Sequence, residues 1–87
     1  MGHSTSLAQD CKGNPISYQT VVTTDPISGE RICSLLLLQY KNLVAVESKF
    51  FYDISRDMQK ATALREKLAR GAVLLDFAEE VLEDWLG

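Results

Sequence analysis

Few side chains in this sequence are of the types that carry acid–base, nucleophilic or metal chemistry. His3 is the only histidine, and the two cysteines, Cys11 and Cys33, are too far apart for a Cys-x-x-Cys redox or zinc motif. General acid–base catalysis and nucleophilic triads usually recruit histidine, and His3 lies in a segment without periodicity. The glycines form no Gly-x-Gly-x-x-Gly or other phosphate-binding pattern. The sequence therefore predicts no catalytic, cofactor-binding or metal-binding residue, and a protein that is not an enzyme.

The cysteines have simple structural interpretations. Two are too few for a disulfide scaffold, and Cys33 lies in an apolar run where a buried thiol behaves as a small apolar side chain. Cys11 is expected to be a free thiol, with a bond to Cys33 as the alternative.

The acidic residues near the C-terminus are the best candidates for a binding site. No basic residue interrupts this group, and an aromatic residue follows it: Asp76, Glu79, Glu80, Glu83, Asp84 and then Trp85. One interpretation is a solvated helix face, because charge runs often mean only solvation. The other is a surface for a basic partner, either another protein or the basic helix of a second copy. Trp85 could anchor that contact, since aromatic residues are favoured at interface hot spots.

Nucleic-acid binding is the alternative function. The basic first half of the helical region, with Arg56, Lys60, Lys67 and Arg70, could follow phosphates, and the aromatic residues at 50–52 could stack on bases. However, the formal net charge of -3 and the pI near 5.0 oppose a phosphate-binding role. We therefore expect a protein partner.

The elements that must position these residues fit one small domain. A chain of 87 residues with 46% hydrophobic and 24% charged residues has the composition of a single globular domain. No apolar run is long enough for a membrane span, and no signal peptide is recognisable, so a cytoplasmic protein is expected. Residues 1–14 are small, polar and aperiodic, which predicts a flexible tail, and residues 15–87 are expected to form one α+β domain.

The ordered part should begin with a three-stranded antiparallel β-meander. Apolar and β-branched residues recur at period two from Ile16 to Val22, turn residues follow at 25–29, and residues 31–40 form a second, apolar strand. If Lys41 and Asn42 form the second turn, the third strand pairs Leu37 with Val46, Leu35 with Ser48 and Cys33 with Phe50. The first hairpin places Tyr18, Thr20 and Val22 beside Leu37, Leu35 and Cys33.

These pairings predict two faces of the sheet. The buried face includes Val44, Val46 and Phe50 from the third strand, while Leu36, Leu38 and Phe51 lie on the opposite face. That opposite face is too apolar to remain in water. Either the second half of the helical region or another subunit is expected to cover it.

Helical structure should follow Ile54, with Ser55 as the N-cap. An apolar stripe at three- and four-residue steps continues to Leu86 and passes through Gly71 in phase. Gly71 either ends one helix before a second begins or lies within one long helix. The whole pattern predicts a small non-enzymatic protein-interaction module, such as an adaptor, inhibitor or regulatory subunit. It would act through the acidic, aromatic C-terminal helix and an apolar sheet face, with a protein partner or as a homodimer.

Overall fold

The computed structural model describes residues 3–86 and shows an antiparallel sheet followed by two helices. The elements in chain order are β1 (His3–Gln9), β2 (Pro15–Thr24), β3 (Arg31–Lys41), β4 (Val44–Ser55), α1 (Met58–Arg70) and α2 (Leu75–Leu86). The strands follow one another across the sheet in the order β1-β2-β3-β4. The α+β meander is therefore confirmed, but the prediction of three strands is wrong because the sheet has four.

The additional strand lies in the segment predicted to be a flexible tail. β1 pairs with β2 over its whole length, with Ser6 opposite Tyr18 and Ala8 opposite Ile16. The connecting turn is closed by Asp10, whose Oδ1 accepts hydrogen bonds from the backbone N–H groups of Lys12 at 2.9 Å and Asn14 at 2.8 Å. The bond from the Asn14 backbone lowers the pKa of Asp10. The tail prediction is thus corrected for residues 3–9, while residues 1 and 2 lie outside the described part.

The hairpin of β2 and β3 has the predicted register. Tyr18 lies opposite Leu37, Thr20 opposite Leu35 and Val22 opposite Cys33. Asp25 organises the turn, because its Oδ1 accepts a 2.9 Å hydrogen bond from the Ile27 N–H. The local turn chemistry and the period-two pattern were sufficient to align these strands.

The register of β3 and β4 differs from the prediction. The two-residue turn is Asn42–Leu43, both at positive φ, so Lys41 pairs with Val44. An irregularity next to Tyr40 adds one further residue to β4, and Leu37 then lies opposite Lys49 and Leu35 opposite Phe51. From Glu47 to Phe51 the combined shift is odd, and it exchanges the two faces of this part of β4. Consequently Phe50 is exposed, whereas Phe51 packs against the core. Val44 and Val46 precede the shifted stretch and are also exposed.

The helical region divides at Gly71, which decides between the two alternatives in favour of two helices. Asp57, not Ser55, is the N-cap of α1, and its Oδ1 accepts a 2.9 Å hydrogen bond from the Gln59 N–H. The helix ends at Arg70 with Gly71 as the C-cap. The next two backbone N–H groups, those of Ala72 and Val73, donate hydrogen bonds to the carbonyls of Ala69 and Leu68, both at 3.0 Å. This is the Schellman arrangement, and it separates α1 from α2.

Both helices pack on the same face of the sheet, which we call the inner face. The buried core joins sheet residues to helix residues: Ile16, Tyr18, Leu35, Leu37, Leu64, Leu68, Leu75, Ala78 and Leu82. The opposite, outer face includes Leu7, Leu36, Leu38 and Phe50, as the strand registers show. The ring of Tyr52 lies beside that of Phe50, with the centroids 6.5 Å apart. No helix of the described residues covers the outer face.

Candidate protein-binding site

The far side of β4 is an open edge of the sheet. Within residues 3–86, β4 pairs with β3 alone. Its regular part runs from Glu47 to Phe51, opposite Gln39 to Leu35, and register irregularities lie on both sides of this stretch. The backbone of an edge strand presents N–H and C=O groups that no neighbouring strand satisfies. This edge can therefore hydrogen-bond to an additional extended chain.

A groove of about 680 Å³ runs between this edge and α2. Its lining from β4 comprises residues 50–54, and its lining from α2 comprises Glu79, Leu82, Glu83 and Leu86. Leu82 is buried, while both glutamates are exposed. The lining is thus apolar at its base and acidic on the α2 side, and we call it the acidic groove.

Helical geometry explains why these residues of α2 line the groove. Leu75, Ala78 and Leu82 are the buried residues of α2, and they set the stripe that packs on the sheet. Glu79 and Glu83 are four residues apart, so they lie on one side of that stripe and above one another. The same spacing relates Leu82 to Leu86. The side of α2 that faces β4 therefore alternates apolar and acidic residues.

The predicted partner-binding residues do not all lie on this groove. Of them, Glu79 and Glu83 line it. Asp76 instead lines a second cleft that also contains Glu47. Glu80 and Asp84 are exposed but line neither cleft.

Trp85 makes an intramolecular contact. Its ring lies 5.3 Å from Lys67 Nζ, which is within the range of a cation–π interaction. The Trp85 side chain is 36% exposed, so it is partly engaged by α1 and partly free.

Two aromatic residues of β4 form part of the outer face next to the open edge. Phe50 and Tyr52 are 55% and 64% exposed, and their ring centroids are 6.5 Å apart. The predicted register placed Phe50 in the core. Aromatic residues occupy positions 50, 51 and 52 in succession, so alternation alone does not indicate which of them face inward.

The basic residues considered for nucleic-acid binding are only partly available. Arg56 Nε donates to Asp53 Oδ1 at 2.9 Å, and its guanidinium also lies near Glu30 and Asp25. The bond to Asp53 raises the pKa of Arg56. Lys67 contacts the ring of Trp85. The α1 residues among this group are on the inner-face side, and Phe50 and Tyr52 are on the outer face, so the two sets do not form one surface.

No metal or redox centre is recognisable in the described part of the chain. Residues 3–86 contain no group of three or more His, Cys, Asp or Glu side chains able to hold a metal ion. Cys11 is exposed and Cys33 is buried, and both are free thiols. Desolvation raises the pKa of Cys33. The described helices are too short or too polar to cross a membrane.

Comparison with known proteins adds no constraint on function. No protein-family model matches the chain, and none of the curated proteins or solved structures matches it. The geometry of β4 and α2 is therefore the basis for inferring a function.

Proposed function

We propose that this chain is a non-enzymatic protein-interaction module that binds a basic segment of another protein in the acidic groove. The observation that carries the proposal is the position of Glu79 and Glu83 beside the open edge of β4. A role as an adaptor, inhibitor or regulatory subunit in the cytoplasm follows from this proposal. The two free thiols accord with a reducing compartment.

The groove has the chemistry that a lysine or arginine side chain requires. Such a side chain has an apolar stem, which can pack on Leu82 and Leu86, and a cationic end, which can pair with Glu79 and Glu83. Hydrogen bonds between a cation and a carboxylate are stronger than those between neutral groups. Because both glutamates are exposed, the attraction is screened by salt and is strongest at low ionic strength.

The charge of α2 favours a different protein over a second copy at this edge. The helix contains five acidic residues and no basic one. It lies along β4, with Asp76 near Glu47 and Glu83 near Phe51. Two copies paired through their β4 strands would bring two such helices side by side, and like charges at that distance repel. A basic partner removes this repulsion.

A peptide-binding experiment tests the proposal. The probe is a fluorescent, end-capped heptapeptide in which lysine alternates with valine, and its affinity is measured by fluorescence anisotropy at low ionic strength. We expect the double substitution Glu79→Lys and Glu83→Lys to weaken binding by about tenfold or more, the loss expected when charge-assisted pairs are reversed.

The matched control is Glu80→Lys with Asp84→Lys, which makes the same change in net charge on the same helix but away from the groove. This control should retain most of the affinity. Equal losses in the two double variants would show that net charge alone attracts the peptide. No binding to the unsubstituted protein would reject the groove as a site for basic segments.

Nucleic-acid binding by α1 is less well supported, because the exposed aromatic pair and the basic residues lie on opposite sides of the sheet. If it occurred, Lys60→Glu with Arg70→Glu would abolish a salt-sensitive affinity for a single-stranded oligonucleotide. The groove variants would then leave that affinity unchanged or raise it.

A further inference from the structure

We infer that the partner binds by adding to β4 as a fifth strand, with an inward row of side chains in the order basic, acidic, basic. This inference rests on the proposed function and specifies how the partner segment is recognised. It combines the open backbone of β4 with the charges that lie along the inner side of its edge.

The regular part of β4 sets the length of the added strand. Glu47–Phe51 pairs residue by residue with β3, and the irregularities on either side interrupt the strand geometry. An added strand can therefore pair regularly over about five residues before the edge bends away. It also adds main-chain hydrogen bonds, which supply affinity without depending on side-chain identity.

The inward row of charges sets the sequence preference. Along β4, residues 47, 49 and 51 face the inner side, because they pair with Gln39, Leu37 and Leu35. Glu47 shares a cleft with Asp76, and Phe51 lies in the acidic groove with Glu79 and Glu83. Lys49 lies between these two acidic positions.

The complement of this row is basic opposite Glu47, acidic opposite Lys49 and basic opposite Phe51. Opposite charges on directly facing strand positions stabilise a sheet, and like charges destabilise it, which sets the residues opposite Glu47 and Lys49. The basic residue opposite Phe51 is set instead by Glu79 and Glu83 of α2, which line the same groove. The required order is the same when read in either direction, so it applies to a parallel and to an antiparallel added strand.

The outward positions of the added strand should be apolar. Ser48 and Phe50 face the outer side, where Phe50 and Tyr52 expose their rings. β-branched and aromatic residues pack well beside exposed aromatic rings on a sheet surface. The preferred segment is therefore Lys-Val-Glu-Val-Lys or a chemically similar sequence.

Two end-capped heptapeptides test the charge order. One is Val-Lys-Val-Glu-Val-Lys-Val, and the other, Val-Lys-Val-Lys-Val-Lys-Val, differs only in the central charge. We expect the first to bind more tightly by about threefold to tenfold, the range of one facing charge pair at a partly exposed position. Lys49→Glu should reverse this preference. A preference that follows total peptide charge in both proteins would overturn the proposed charge order.

N-methylation of the peptide backbone tests strand addition itself. One version of the first heptapeptide is N-methylated at its three charged residues. A second version is N-methylated at three of its valines. The N–H groups of a strand point alternately to its two sides, so one version should lose about tenfold or more in affinity while the other changes little. Equal effects would show that the peptide does not bind as a strand.

Amide hydrogen exchange provides the corresponding readout on the protein. Exposed edge amides within Glu47–Phe51 should become protected when the unmethylated peptide is added. Peptide affinity could depend on Glu79 and Glu83 while the edge amides stay unprotected and the two N-methylated peptides bind equally. This result would keep the acidic groove as the binding site but reject the fifth strand. Loss of binding altogether would reject both. Light scattering that shows a dimer dissociated by Glu47→Lys would identify a second copy as the occupant and overturn the inference.

Discussion

The phenolic hydroxyl of Tyr18 donates a 2.7 Å hydrogen bond to the backbone carbonyl of Val73. Tyr18 is on β2, in the middle of the sheet, and Val73 is in the connection between α1 and α2. The ring of Tyr18 is fully buried, and Val73 packs against the same core. This bond therefore ties the connection to the inner face and helps to set where α2 begins.

Tyr18→Phe should destabilise the protein without changing its fold. The substitution keeps the buried ring but removes the donor to the Val73 carbonyl, which costs about 1–2 kcal/mol for a hydrogen bond of this kind. Urea denaturation followed by circular dichroism measures the change. Tyr52→Phe is the control, because that ring is exposed, and it should leave the free energy of unfolding nearly unchanged. Similar midpoints for Tyr18→Phe and the wild type would contradict a stabilising role for the bond.

Stability should also fall at alkaline pH through the same residue. Burial raises the pKa of Tyr18 from 10.0 to about 12 in the folded protein. As the pH rises, the unfolded chain therefore loses the phenolic proton before the folded protein does. The contribution of protonated Tyr18 to stability is complete below pH 10 and disappears as the pH rises towards 12. Burial also raises the pKa of Cys33, which adds a loss of the same sign.

The Tyr18 contribution can be isolated by denaturation at several pH values in a Cys33→Ala background. The free energy of unfolding should decline less steeply above pH 10 in Tyr18→Phe than in the protein that retains Tyr18. Parallel declines would show that other groups cause the alkaline loss.

The parts of the fold that could be predicted are those with local signals. The Asp25 turn and the alternation around Tyr18 were sufficient to align β2 with β3. β1 was missed because its residues are small and mostly polar, and it becomes a strand through pairing with β2. The face of β4 was reversed because an extra residue in a strand has no distinct sequence pattern.

The sequence predicted the acidic character of the proposed binding site but not which acidic residues form it. The run of acidic residues identified α2, but which of them face the sheet edge depends on the stripe that the helix buries. Leu75, Ala78 and Leu82 form that stripe and place Glu79 and Glu83 on the β4 side. The open edge itself follows from the order of the strands, which the sequence does not state directly. Residues far apart in sequence had to be brought together before the groove could be recognised.

Ala72→Gly should stabilise the protein. Ala72 adopts φ of 47° at the position after the C-cap of α1, where glycine is the usual residue. A non-glycine residue in this region costs about 1 kcal/mol in the folded state. Removing this cost should outweigh the opposing effect of glycine, which gives the unfolded chain more conformational entropy than alanine does. Thermal denaturation should show a higher midpoint. Ala63→Gly, at an exposed position within α1, is the control and should lower the midpoint, because glycine is unfavourable inside a helix. A lower midpoint for both variants would contradict the strain assigned to Ala72.

Arg65→Met should loosen β1 from the rest of the sheet. The Arg65 side chain is buried, and it donates to Ser6 Oγ at 2.9 Å and to Thr20 Oγ1 at 3.0 Å, thereby joining α1 to β1 and β2. Methionine keeps most of the apolar contact but removes both donors, so we expect a loss of about 1–3 kcal/mol and faster amide exchange in β1 than in β3. Lys60→Met on the exposed side of the same helix should have little effect. An increase in stability would mean that desolvation of the Arg65 charge costs more than its two hydrogen bonds contribute.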